Sequence, residues 1–215
     1  TVSALKPSDR CPFSTAILPE PIVNNPGIPW PGQNAGILGA IHHPQLFKCD
    51  PTADRLDIDG LNLVEGLTEV RIHDRQDLRQ RMEAKFVESL RNDSMAGFDK
   101  TQQQALDVLR SSATRDAFAL EKETSSTRDR YGRQKFGQSL LLARRLIETG
   151  VRLVQVNWPR EPGDLNRGNP LWDTHQKNAE RCRDVLCPTF DQSFPELIRD
   201  LDASGLLKEI LVVVF

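Results

Sequence analysis

The chain has 215 residues, with 28 Lys and Arg against 30 Asp and Glu for a formal net charge of −2. That length suits one domain of ordinary size with a real core, and the near balance of charge argues against a nucleic-acid binder and against an acidic tail protein. The longest purely apolar run, Ile210 to Phe215, is far too short for a membrane span, and the first twenty residues, broken by Pro7, Pro12 and Pro19, carry no apolar core of a signal peptide.

Residues 1 to 73 read as irregular. Pro19, Pro21, Pro26, Pro29 and Pro31, with Gly27, Gly32, Gly36 and Gly39, argue against long helices and central strands there. Ala35 to Ile41 is the kind of short piece that is expected to turn helically, and Leu56, Ile58, Leu61 and Leu63 hint at short extended segments.

Residues 74 to 149 read as helical. Asp74 is a good N-cap with Asp77 behind it, and Leu78, Met82, Phe86 and Leu90 recur every four residues on one face. A second helix is expected from about Lys100 with Ala105, Val108 and Leu109 inward. A third starts at Ser112 or Thr114 and carries Ala117, Phe118 and Leu120. The fourth, about Gln134 to Thr149, buries Phe136, Leu140, Leu141, Ala143, Leu146 and Ile147, with Gly150 just past its end.

From 150 to 215 the period changes. Val151, Leu153, Val154, Val156 and Trp158 predict a buried strand, followed by a loop from Pro159 to Pro170. Helices are expected near Gln176 to Leu186 and Phe190 to Ala203, divided by Pro188 and stopped by Gly205, and Ile210 to Phe215 reads as a second buried strand. Strand, helical crossover and strand make a parallel βαβ unit, so the fold class is α/β, with a parallel or mostly parallel sheet covered by helices on both faces. Two apolar strands are few for such a sheet. The chain is therefore expected to be one domain that forms part of a longer polypeptide, or one completed by another chain.

The strongest candidate for chemistry is Trp172-Asp173-Thr174-His175, beyond the carboxyl end of the first predicted strand. Asp173 and His175 offer an oxygen and an imidazole nitrogen to one divalent cation if the backbone between them is not helical. Asn157 and Trp158 would border the same crevice. The competing structural reading makes Asp173 or Thr174 a helix cap and His175 a residue of the exposed first turn. Arg128, Arg130, Arg133 and Lys135 form a basic knot whose forked guanidinium groups suit sulfate or phosphate, or else a solvated helix entrance. Arg144 and Arg145 read as surface or ion-paired residues, His42-His43 as an exposed loop pair, and Ser139 as a residue inside a helix. The glycines form no phosphate-binding loop pattern.

Four cysteines do not make a disulfide scaffold. Cys182 and Cys187, spaced C-x4-C, lack the companions of a zinc ribbon and read as small half-buried residues near a helix end. A Cys11–Cys49 bridge stays open for an exported protein.

The run from Arg130 to Trp158, RYGRQKFGQSLLLARRLIETGVRLVQVNW, resembles a bacterial domain-of-unknown-function family described as sulfatase-like and placed near the alkaline phosphatase superfamily. Trp172 to His175, Asp200 to Val214, Pro31 to Gly36 and Leu18 to Pro21 are similar to its other motifs, so the resemblance covers most of the chain from about Leu18. It implies an alkaline-phosphatase-like α/β fold and metal-dependent hydrolysis of sulfate or phosphate esters. The cofactor would be a divalent ion (Ca, Mg, Mn or Zn) with Asp173 and His175 as ligands. Arg130, Arg133 and Asn157 are the accompanying substrate-binding candidates. It also implies a small-molecule or polysaccharide ester substrate, neither nucleic acid nor membrane as partner, and a periplasmic or exported location. The family's export signal, its first Asp-bearing Gly-rich segment and its later Gly-Glu-Phe-Gly-Arg motif do not occur in these 215 residues. The alternative is an exported α/β binding or assembly protein that keeps the fold without the chemistry.

Overall fold

Between Pro12 and Pro19 lies the four-residue run Thr15-Ala-Ile-Leu18, and it forms the centre of the sheet. The computed structural model describes residues 2–24, 28–56, 58, 71, 74, 77–78, 81, 103–104, 106–108, 111–159, 171–174 and 176–215. In it β1 (Thr15–Leu18) pairs in parallel with β4 (Gln45–Leu46) on one side and with β5 (Leu153–Val156) on the other. A separate antiparallel ribbon joins β2 (Val23–Asn24) to β3 (Ile28–Pro29). The fold is thus mixed α/β with a three-stranded parallel sheet.

The expectation that prolines exclude a central strand before residue 74 is overturned. Proline removes a donor only at its own position, and both prolines flank β1 instead of interrupting it. All four β1 residues are buried, as a strand between two parallel neighbours should be. The ladder continues past the strand ends: Phe47 N–H donates to Ile17 O (3.1 Å), and Arg152 and Leu153 N–H both donate to Ser14 O. The two short turns Gly36–Leu38 and Ala40–His42 are 3-10 helices, in keeping with the expectation for Ala35 to Ile41.

Five helices of stated extent join α1 (Val2–Leu5). They are α2 (Ser112–Phe118), α3 (Ser125–Tyr131), α4 (Lys135–Glu148), α5 (Asn178–Arg181) and α6 (Cys187–Ala203). Ser111 and Thr124 cap α2 and α3 by accepting from the N–H groups of Thr114 and Thr127. α4 is the central helix and packs against β5, α2, α3 and α6. Its Leu140, Leu141, Leu142 and Leu146 are buried, in a core shared with Phe13, Ala16, Leu18, Phe47, Phe118 and Leu197. Gly150 turns the chain from α4 into β5 at φ +100°, and a Cβ there would meet Arg10 Cβ at 2.9 Å, so the turn needs glycine twice over. The predicted face Leu78, Met82, Phe86 and Leu90 lies mostly outside the described residues; Leu78 itself is helical and exposed.

Three further expectations need correction. Pro188 does not divide two helices: α5 runs into α6 through a π turn over Cys182–Leu186, where Cys187 N–H donates to Cys182 O. The wider turn re-registers the ladder just where proline lacks a donor. Ile210 to Phe215 has no regular secondary structure and is not a strand of the sheet. Ile210 and Val212 lean on the core, whereas Leu211, Val213, Val214 and Phe215 are exposed. Apolar composition makes a residue run fit for a strand, but pairing makes it one, and among the described residues none pairs with it. β5, expected to be buried, has its first residue exposed and the others half-buried, as befits the last strand in the order.

α3, α4 and α6 are fastened by charge. Arg144 of α4 sits between Glu123 (Nη2–Oε1 2.6 Å) and Asp200 (Nη1–Oδ2 2.8 Å), Arg145 also reaches Glu123, and the Tyr131 hydroxyl donates to Asp200 at 3.0 Å. Removing the Glu123 charge takes the paired carboxylate from the half-buried Arg145 guanidinium and one of three from Arg144, which keeps Asp200 and Glu148. Glu123→Gln is therefore expected to lower unfolding stability by about 3 kcal/mol, read from denaturant midpoints at constant slope. At the α3–α4 corner a Cβ on Gly137 would stand 2.0 Å from Tyr131 O and 2.9 Å from Ser193 Oγ. Gly137→Ala should cost about 2 kcal/mol despite alanine's better helix propensity, and a gain in melting temperature would contradict that packing.

Burial, and secondarily the Asp50 charge, pushes the Cys49 thiol up from 9.0 to about 12. Burial also raises Cys11, and burial with the Asp200 carboxylate raises Tyr131. The native state holds these protons where the unfolded chain releases them. Their contribution is therefore complete below about pH 9 and is lost as pH climbs toward 12. Stability measured across that window should fall, and fall less steeply in Cys49→Ala; equal slopes would show that Cys49 is not protected.

Candidate functional site

In an open parallel sheet the crevice beyond the carboxyl ends of the strands is where ligands bind. At that end of the present sheet Asn157 joins β1 to β5. Its N–H donates to Leu18 O (2.8 Å) and its Nδ2 to Glu20 O (2.7 Å), while its Oδ1 accepts from Gln155 Nε2 (2.8 Å). It is 6% exposed. Asn157, a substrate-binding candidate by sequence, therefore has both ends of its carboxamide engaged within the protein and sets the geometry of the strand end.

Trp158 follows and starts a row of aromatic rings. It lies on Phe136 (centroids 4.4 Å apart) and meets Trp172 nearly at right angles (5.3 Å, 78°). Trp172 is also edge-on to Phe190 (6.3 Å, 88°), which stacks on Phe194 (4.9 Å). These contacts bring Trp172 and Phe190 to the end of β5. Offset and perpendicular ring pairs each add about 1 kcal/mol beyond area burial.

Past Trp172 the chain turns sharply. Thr174 is buried, and its carbonyl accepts from Arg181 Nη1 (2.6 Å) and from Gln176 N–H. Lys177 is left-handed (φ 51°, ψ 41°), the one non-glycine residue with positive φ among the described residues. Such a conformation costs about 1 kcal/mol or more and clusters at sites that bind or clamp. Trp172, Asp173, Thr174, Gln176, Lys177 and Asn178 line an open cleft of about 300 Å³. Its side chains bring together a carboxylate, a hydroxyl, two carboxamides and an ammonium, which can hold an anion and its hydroxyl-bearing neighbours.

Asp173 thus lines the cleft, and neither it nor Thr174 caps the next helix, whose N-cap is Lys177. His175 lies outside the described residues. Among the described residues no three His, Cys, Asp or Glu side chains gather as a metal centre. The lining is nevertheless rich in hard oxygen donors, from Asp173, Thr174, Gln176 and Asn178, which suit Mg, Ca or Mn.

The basic knot is placed elsewhere. Arg130 pairs with Glu196 (3.2 Å) and Asp200 (3.5 Å) of α6, and Arg133 pairs with Asp129 and donates to Ser125. Neither lines the cleft. Arg128 is buried, donating to Gln138 Oε1 (2.7 Å) and to the carbonyls of Pro51, Thr52 and Ala53, which pins the loop after β4 to α3. His42 approaches Ser3 Oγ at 3.4 Å, and Ser139 donates to Lys135 O within α4. All four cysteines are free thiols, with Cys182 and Cys187 half-buried at the π turn. Sequence reasoning singled out Trp172 to His175 and missed Gln176, Lys177 and Asn178, whose signal is only their nearness to that tetrad.

Among the described residues no helix is long and apolar enough to cross a membrane. Comparison with curated proteins and with solved structures gives no match to this chain. Residues 17–215 match the family model described as "Protein of unknown function (DUF1501)", and the chain belongs to that family.

Proposed function

We propose that this chain carries the substrate-facing part of a metal-dependent hydrolase of sulfate or phosphate esters, built on an alkaline-phosphatase-like scaffold and working in the periplasm or after export. The observation that carries the reading is the position of Asp173. It lines a cleft that Trp172 anchors to Trp158, directly beyond the carboxyl end of the parallel strand β5.

The donor set accepts a hard divalent cation, and Asp173 with His175 are the residues that would hold it. A bound cation supplies polarisation of the ester and charge stabilisation on the leaving oxygen. The rest falls to side chains of this chain. Lys177, a residue of the lining, offers an ammonium to the anionic group of the substrate. Gln176 and Asn178 offer carboxamides to its neutral part. Asn157 acts one step back, holding the end of β5 from which Trp158 projects. Arg130 and Arg133 take no part, since their guanidinium groups are engaged with carboxylates of α3 and α6.

The test loads the full chain in turn with Mg, Ca, Mn and Zn, measures retained metal by elemental analysis, and assays nitrophenyl sulfate and nitrophenyl phosphate. Turnover of one ester is expected, abolished by chelation and restored by metal. Asp173→Ala should lower both metal content and turnover by about tenfold or more while the melting temperature holds. A protein that retains no metal and cleaves neither ester ends this reading in favour of a non-catalytic binding or assembly protein of the same fold.

A further inference from the structure

Positions 21 to 47 contain no Lys, Arg, Asp or Glu, although these residues make up 27% of the chain. Most of the described residues of that segment nevertheless face solvent. Ile28 keeps 65% of its surface exposed and Trp30 55%, Ile37 is fully exposed, and Ile22 and Leu38 are exposed as well. Gln33 holds this surface in one shape. Its Oε1 accepts from Ile22 N–H (2.6 Å), and its Nε2 donates to Ile22 O (2.7 Å) and to Trp30 O (2.9 Å). Trp30 N–H also donates to Ile22 O. Ile37 is four residues beyond Gln33 and so no more than about 14 Å from it, which keeps the five apolar side chains on one stretch of the surface. The backbone groups of Ile22 and the carbonyl and N–H of Trp30 are thus satisfied within the segment, and a partner arriving there meets hydrocarbon.

We propose that this surface is the contact face of a symmetric dimer, with Trp30 and Ile37 of each copy set against the same segment of the other. Single exposed apolar residues are ordinary, but a charge-free group of them with an aromatic anchor has the composition of an interface core. The five residues together expose about 600 Å², close to the ~800 Å² per partner that a standard interface covers. Charge selects the occupant. Across a two-fold axis each residue of the patch meets the same patch again, so any ionic side chain there would face its like. A segment without charge carries no such penalty, and a net charge of −2 adds little repulsion between approaching copies. A lipid surface is matched less well, because interfacial segments set Lys and Arg around their apolar side chains and this one has neither. Pro29 and Pro31 lack the N–H groups that strand addition would use, so the contact is made by side chains.

The experiment is sedimentation velocity of the full chain at neutral pH over about 1 to 100 μM, where a dimer with a dissociation constant on the order of micromolar is expected for an interface of this size. Ile37→Asp and Trp30→Ala should each weaken the dimer by about tenfold or more, since each change enters a symmetric interface twice. Ile37 is fully exposed in the single chain, so its replacement leaves the fold intact, which the circular dichroism spectrum of the variant checks. Leu211→Asp, at an exposed apolar position outside the segment, should leave the dimer as it was. A monomer at every concentration, open-ended growth to larger species, or a dimer that both Ile37→Asp and Trp30→Ala leave unchanged overturns the proposal. So does a monomer that binds phosphatidylcholine vesicles through Trp30, which would give the surface to lipid. A dimer abolished by Leu211→Asp and spared by Ile37→Asp overturns it too, and moves the contact to residues 210–215. None of these outcomes depends on whether an ester is cleaved.

Discussion

The parallel ladder between Thr15–Leu18 and Leu153–Val156 is the constraint on which the remaining geometry depends. Its register opposes Leu18 to Val156, and this puts the Asn157 amide under Leu18 O and its side chain against Glu20. A slip of one residue would turn Trp158 to the other face of the sheet, away from Phe136 and Trp172. Two contacts outside the ladder hold the register. Ser8 Oγ donates to Gly150 O at 2.8 Å, and Gly150 in turn lies against Arg10, so the N-terminal segment grips the turn that launches β5. Order at the cleft therefore begins at the opposite end of the strand.

Helix α4 transmits that order to the rest of the fold. One side of it is hydrocarbon, with Leu141, Leu142 and Leu146 wholly covered. Its other side carries Arg144 and Arg145, each half-buried and each paired. A charge cluster of this kind adds little net stability compared with hydrocarbon of the same shape, because desolvation offsets most of the attraction. What it contributes is a single arrangement: Glu123, Tyr131 and Asp200 come from three different segments, and Arg144 meets all three geometries only when α3, α4 and α6 are correctly crossed. Gln138 performs the same service nearby, with its Nε2 donating to the carbonyls of Arg128 and Gly132 and its Oε1 taking the Arg128 guanidinium.

What could be read from the chain beforehand follows from how local each signal is. The helix around Leu140 to Ile147 announces itself by period, and Gly150 by its place just past the end; the structure puts the helix at Lys135–Glu148. A parallel sheet was expected from a crossover between the runs at Val151 and Ile210; the sheet is parallel, but through Thr15–Leu18 and Gln45–Leu46 and not through Ile210–Phe215. That partner was not legible: Thr15–Leu18 is four residues long, too short for a period, and its pairing spans more than a hundred residues. Ile210 to Phe215 misled in the reverse direction, since six apolar residues state a preference without naming a neighbour. The tetrad Trp172 to His175 was marked for its Asp and His, yet what places Trp172 is its contact with Trp158, which no spacing in sequence encodes. Arg130 and Arg133 looked like anion ligands because a guanidinium fork fits sulfate and carboxylate alike, and the carboxylates of Glu196, Asp200 and Asp129 lie far or near in sequence with equal effect.

Two local departures from ideal backbone flank the cleft, and each has an identifiable support. Lys177 holds a left-handed conformation between the Trp172 anchor and the first turn of α5. Arg181 secures both sides of it, its N–H donating to Lys177 O and its guanidinium to Thr174 O. One turn later the π segment absorbs the missing donor of Pro188, so the helix continues without a break from Asn178 to Ala203. A broken helix would let Phe190 move independently of Asn178. An unbroken one makes Asn178 and the ring that props Trp172 parts of one rod. That coupling explains why a strained residue is tolerated at Lys177: the strain sits beside a helix whose buried residues the core has already ordered.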